Sequence, residues 1–96
     1  MTLESVKKTI AGVIQELQQT SGRPCGELTG STKPIGDLIG FDSLSAIEAT
    51  IAIEAALGQG LDVDNVLVAE TNGRKRALTI AGAAERIMTI LKTQVA

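Results

Sequence analysis

Residues Asp37–Gly58 read "DLIGFDSLSAIEATIAIEAALG", and the reading of this stretch decides the fold. Ala46, Ala49, Ala52, Ala55 and Ala56 favour helix, and Gly58 is a natural stop just beyond Leu57. The helix is preceded by Gly40-Phe41-Asp42 and opens at Ser43, a residue type that commonly caps a helix start. At about 100° per residue, Leu44, Ile47 and Ile51 fall within one arc, and Ala46, Ile53 and Leu57 fall roughly opposite. Glu48 and Glu54 flank the first stripe, one on each edge. A helix on the outside of a small bundle needs one apolar stripe, not two. Two readings follow. Either the helix is central and buried on both sides, or the stripe framed by acids faces a partner or an apolar ligand chamber. Periodicity does not choose between them.

Working outward, two further helices are expected. Leu3, Val6, Ile10, Val13, Ile14 and Leu17 share one face near the N-terminus, with Thr2 as N-cap and Glu4 at the positive end of the helix dipole. Ile80, Ala83, Ala84, Ile87, Met88 and Leu91 repeat at helical spacing near the C-terminus, after Thr79 as cap. Between the first two helices lies "TSGRPCGELTGSTKPIG", a long loop rich in Gly, Pro, Ser and Thr. Loops of that length usually have a purpose, and a short helical turn can hide in one. The segment "QGLDVDNVLVAETNGRKRA" admits a short helix capped by Asp62 or Asp64, or a short extended piece, with a turn at Asn72-Gly73.

The chain has 96 residues, which fits one domain spanning 1–96. Apolar residues make up 44% of it, enough for a packed core, and that core must be aliphatic because Phe41 is the only aromatic residue. No apolar run approaches bilayer-spanning length. The start, "MTLESVKKTI", is amphipathic and does not resemble an export signal. The single cysteine, Cys25, has no internal partner for a disulfide. A reduced, cytoplasmic protein is expected, and a monomer.

Charge is unevenly placed. Asp37, Asp42, Glu48, Glu54, Asp62, Asp64 and Glu70 are seven acids in a segment without Lys or Arg, while the rest of the chain holds four acids and nine bases. The middle is therefore −7 and the ends +5, summing to the net charge of −2. Such an asymmetry either solubilises a helical face or steers a basic partner surface. Nucleic acid is not an expected partner, since the one basic cluster, Gly73–Arg76, is small and stacking aromatics are absent.

Conventional catalysis is mostly excluded. There is no histidine, so no Ser-His or Cys-His nucleophile pair and no zinc site of the usual Cys and His ligands can be assembled within the chain. The glycines form no GxGxxG, and Gly30–Lys33 lacks P-loop spacing. Cys25, in a Gly/Pro loop, reads as a bystander thiol and not a nucleophile. The chain is expected to be no enzyme.

Ser43 remains. The run "GFDSLSAIEATIAIEAALG" resembles the attachment region of acyl carrier proteins, in which Gly-x-Asp-Ser-Leu opens the second helix of a four-helix bundle. Asp37-Leu38 stands where that family has Asp-Leu-Gly, with Ile39 intervening before Gly40. Glu48 and Glu54 occupy positions that are often acidic there, and "LTIAGAAERIMTI" is similar to the family's last helix. The resemblance spans essentially the whole chain. It implies an all-α fold, a small four-helix bundle of acyl-carrier type with three long helices and a short or irregular third one.

The resemblance also implies a function. Ser43 would receive covalent 4′-phosphopantetheine from coenzyme A, by the action of a separate phosphopantetheinyl transferase. The phosphodiester would sit at a helix N-terminus, where free N–H groups favour an anion. The arm's thiol would carry acyl groups as thioesters for partner enzymes of fatty acid, lipid or polyketide-type biosynthesis, namely acyl-transfer, ligase or condensing enzymes with basic docking surfaces. Asp42 and Leu44 would flank the arm. Leu44, Ile47 and Ile51 would form the apolar part of the docking face, with Asp37, Glu48 and Glu54 as its charged rim, while Ala46, Ile53 and Leu57 face the core. Ser45, Ala55 and Ala56 stand where many members have acids, and the segment before the last helix is longer than usual, which points to a specialised carrier. Two rivals stay open: a peptidyl or aminoacyl carrier, and a helical protein-interaction module with no prosthetic group, which would not need Ser43. Separately, Ser43 could serve only as the cap of its helix.

Overall fold

The structure, a computed structural model, describes residues 2–95. Its elements in chain order are α1 (Leu3–Thr20), α2 (Pro34–Asp37), α3 (Ser43–Leu57), β1 (Val68–Thr71), β2 (Arg74–Ala77) and α4 (Ile80–Val95). The three long helices begin within a residue of where the sequence places them.

Helix α1 starts as expected. Thr2 Oγ1 accepts the Ser5 N–H at 3.1 Å, and Ser5 Oγ accepts the Thr2 N–H at 3.1 Å, so two N-terminal donors are satisfied reciprocally. Val6, Ile10 and Ile14, four residues apart, are fully buried, and Leu3, Val13 and Leu17 pack partly buried beside them. α1 packs against both α3 and α4. Those helices present Ala46, Ala49, Ala83 and Ala84, all fully buried, with Ile53 and Ile87 between them. Small residues let backbones approach closely, while each buried isoleucine contributes about 1.5–3 kcal/mol.

The long loop after α1 serves two helices. Gly30 and Thr32 offer their carbonyls to the N–H groups of Ala81 and Ile80, at 3.0 and 2.9 Å. With Thr79 Oγ1 accepting the Gly82 N–H at 3.0 Å, three donors at the start of α4 are satisfied. Gln18, fully buried, donates from Nε2 to the carbonyls of Ile39 (2.9 Å) and Pro24 (3.2 Å). The loop therefore ties α1, α3 and α4 together. Its hidden helical turn is α2, four residues distorted by Gly36 at φ +116°.

The all-α expectation fails between α3 and α4. No short or irregular third helix stands there. Val68–Thr71 and Arg74–Ala77 pair as an antiparallel hairpin, with Val68 opposite Ala77, Ala69 opposite Arg76, Glu70 opposite Lys75 and Thr71 opposite Arg74. The reason lies in the backbone. Asn72 and Gly73 both take positive φ (53° and 78°), the combination a two-residue hairpin turn requires. Upstream, Gly58 and Asp62 also adopt positive φ (70° and 56°), which breaks helix propagation after α3. Leu61, Val66 and Leu67 then plug the core without forming a helix. The fold is thus mostly helical, four helices with a small two-stranded sheet. The short helix precedes α3 instead of following it.

Two polar contacts fasten this region. The buried Thr50 hydroxyl donates to Ala46 O (2.8 Å) and accepts the Val66 N–H (3.0 Å), joining α3 to the loop. From α4, Arg86 Nη1 donates to the carbonyls of Asn65 and Val68, holding the base of the hairpin. Among the described residues no helix is long and apolar enough to cross a membrane.

Candidate functional site

Each residue of Gly40-Phe41-Asp42-Ser43 has its own reason to be there. Gly40 sits at φ +73°, a backbone conformation that favours glycine, and a Cβ there would push against the Arg23 side chain. Arg23 Nη1 donates to Gly40 O, and Nη2 lies 3.4 Å from Ser45 Oγ, so one guanidinium steadies the turn. Phe41, the lone aromatic, is buried in the core and anchors the turn to it. Asp42 is the N-cap: its Oδ1 accepts the Ser45 N–H at 3.0 Å and the Ser45 hydroxyl at 3.2 Å. The Ser45 backbone N–H, then its hydroxyl, hold the Asp42 carboxyl below its ordinary range, with a smaller contribution from Arg23.

Capping is therefore done by Asp42, and the reading of Ser43 as a mere cap is corrected. Ser43 is the first residue of α3, exposed, and among the described residues its hydroxyl has no hydrogen-bond partner within the protein. The first intrahelical bond joins Ala46 N–H to Asp42 O at 3.0 Å, and Ser45 N–H goes to Asp42, so the N–H groups of Ser43 and Leu44 have no acceptor within the helix. A free hydroxyl thus stands beside free donors at the positive end of a fifteen-residue helix.

The two stripes of α3 separate cleanly. Ala46, Ala49 and Ile53 are fully buried, whereas Leu44 and Ile51 are each 63% exposed and Ile47 is 36% exposed. Ile39, in the turn before α3, is 67% exposed and lies outside the stripes read from the sequence. Leu57, expected in the core, is only partly buried at its edge.

The acids divide. Glu48 is exposed, and its carboxylate has no partner among the described residues. Glu54 departs from the expected rim: it is half-buried, and Oε2 accepts the Leu61 N–H at 2.7 Å, because the chain reverses tightly after Gly58 and leaves that donor over the helix edge. Asp37 is exposed, and its Oδ2 accepts the Lys33 N–H at 2.8 Å, closing α2. Glu54 and Asp37 thus have local structural tasks.

An open cleft of about 780 Å³, not anticipated from the sequence, lies along α3. It is lined by Ser43, Ile47 and Glu54 of α3, by the loop 62–65, by Val68, Glu70 and Lys75 of the hairpin and by Arg86 of α4. Strand alternation explains the hairpin's part: Val68 and Glu70 share a face with Lys75, which is paired across from Glu70, while Arg74 and Arg76 belong to the opposite face. Asn72-Gly73 is the signal in the sequence for this hairpin, while the flanking "VAET" and "RKRA" lack the apolar alternation that marks strands. Cys25 is a half-buried free thiol, and among the described residues no group of His, Cys, Asp or Glu is arranged to hold a metal ion.

Comparisons with protein-family models, with curated proteins and with solved structures find no match to this chain.

Proposed function

We propose that this chain is a carrier protein in which the Ser43 hydroxyl bears 4′-phosphopantetheine, placed there from coenzyme A by a separate transferase. The observation that carries the proposal is the state of Ser43: exposed at the start of a long helix, unpartnered, and relieved of capping by Asp42. A prosthetic arm needs an attachment oxygen that the fold does not use, and Ser43 is one. The residues fit the group, since the free N–H groups of Ser43 and Leu44 and the helix dipole favour a phosphodiester at that point. When bound, the arm supplies a thiol that holds acyl groups as thioesters.

This chain's own residues then do the presenting. Leu44, Ile47 and Ile51 form an exposed apolar stripe beside Ser43, and Glu48 gives it a free negative edge. Such a face fits partner enzymes with an apolar spot ringed by basic side chains. In this reading the molecule is a cytoplasmic, non-catalytic variant of the acyl-carrier bundle, with the hairpin in the place of the third helix. The test is the intact mass after incubation with coenzyme A, magnesium and a broad-specificity phosphopantetheinyl transferase. One added phosphopantetheinyl group is expected, absent in Ser43→Ala. No addition to folded protein, with a known carrier converted in parallel and the chain's own transferase also tried, would favour the interaction module.

A further inference from the structure

We infer that the cleft beside Ser43 receives the cargo on the arm, and that it selects a short polar acyl group bearing a free amine over an alkyl chain. The inference rests on the carrier reading and deepens it. Four features support it: position, size, polarity and the sign of charge.

Position comes first. Ser43 itself lines the cleft, so an arm attached there reaches it by folding back along α3 past Ile47. At about 780 Å³ the space lies within the range of small-molecule sites and suits an arm with a small acyl group.

Polarity decides the class of cargo. Apart from Ser43, the cleft offers three apolar side chains, Ile47, Val63 and Val68, against Asn65 and six charged ones. An alkyl chain laid there would meet few apolar atoms and would strip water from charged groups that have no replacement partner. A polar group replaces that water with hydrogen bonds.

Sign refines the choice. The lining carboxylates are Glu54, Asp62, Asp64 and Glu70, and the cations are Lys75 and Arg86. Glu54 has one oxygen committed to Leu61, and Arg86 has Nη1 committed to the carbonyls of Asn65 and Val68. The carboxylates of Asp62, Asp64 and Glu70 have no hydrogen-bond or ion-pair partner among the described residues. Negative charge is thus in excess where the hairpin and loop close on the helix, which attracts an ammonium and repels a second carboxylate. The excess comes from Glu54 on the helix and from Asp62 and Asp64 of the loop, since Glu70 and Lys75 of the hairpin cancel in net charge.

The test loads the full chain through the transferase with coenzyme A analogues whose acyl groups are joined by a stable amide: alanyl, succinyl and octanoyl. Intact mass establishes loading, and ¹H–¹⁵N spectra are compared with those of the unacylated arm. The alanyl form is expected to shift the amides of Val63, Asp64, Asn65, Glu70 and Lys75, while the succinyl and octanoyl forms leave them in place. Replacing Asp62→Asn, Asp64→Asn and Glu70→Gln together, all at exposed positions, should abolish the alanyl-specific shifts. Octanoyl shifts in the cleft, or at the buried Ile53 and Ile87, without alanyl shifts would overturn the inference, as would alanyl shifts that survive the triple substitution. Loading without any cargo-dependent shift overturns the cargo assignment alone. Failure to load at all brings down the carrier reading and this inference with it.

Discussion

At the scale of the residue, Asp42 shows how local chemistry frees its neighbour. A carboxylate one position earlier takes over the cap, so the serine hydroxyl is left to solvent. The same contact makes stability pH-dependent. Asp42 releases its proton more readily folded than unfolded, because Ser45 N–H hydrogen-bonds the charged form. The unfolded chain therefore takes up that proton first, near the ordinary value of 3.8. The stabilisation is fully present above that value and is lost as pH falls through the lower folded one. Asparagine caps about as well as aspartate, so Asp42→Asn should melt close to the parent at neutral pH and lose less stability in acid. Melting curves recorded from about pH 6 to about pH 2.5 measure this, and parallel acid limbs for the two proteins would refute it. Thr50 makes a second case. Thr50→Val keeps the shape but leaves the buried Val66 N–H without an acceptor, an expected cost of about 1–3 kcal/mol. Thr50→Ser keeps the hydroxyl and should recover most of the hydrogen-bond part, as denaturant titration of the pair would show.

At the scale of the element, α3 is the informative helix because its two apolar sides have different fates. Packing of α1 against α3 buries the side that carries Ala46, Ala49 and Ile53, and Leu44, Ile47 and Ile51 are left facing solvent. Substitution separates the two. Ile53→Ala, at a fully buried site, should cost about 2–5 kcal/mol. Ile51→Ala, on the exposed side, should stay within about 0.5 kcal/mol of the parent and, if the proposed carrier function holds, should raise KM for the phosphopantetheinyl transferase. A large stability loss at Ile51 would mean that the stripe is structural. The hairpin is the other deciding element. Arg86 of α4 holds it at Val68, Thr50 of α3 holds Val66 just before it, and Val68, Glu70 and Lys75 of the hairpin line the cleft.

At the scale of the whole molecule, the charge asymmetry becomes spatial. The only ion pair among the described residues is Glu4–Lys7, at 2.8 Å. The acids of the middle segment are thus not neutralised by the basic ends, and Asp42, Glu48, Asp62, Asp64 and Glu70 stand exposed along α3, the following loop and the hairpin. Charges left unpaired in this way keep their long-range field, which falls off over about 8–10 Å at physiological salt. In the proposed carrier reading, that field would steer a basic partner surface.

Much of the fold was legible in the chain alone. Helical periodicity at Val6, Ile10 and Ile14 and at Ile80, Ala83 and Ile87 located two helices, and the alanine-rich run ending at Gly58 located the third, because local propensity and apolar spacing act over a few residues. Thr2 and Thr79 declared their caps for the same reason. What the chain could not declare depended on partners distant in sequence. Which side of α3 is buried follows from α1 packing against it. That Glu54 is spent on Leu61, that Gln18 is buried under two carbonyls, and that the run before α4 is a hairpin framing a polar cleft all follow from contacts the fold itself brings together. Local sequence determined the helices and the free serine's neighbourhood. Tertiary packing alone decided which surfaces remain for a partner and what chemistry the space beside Ser43 can hold.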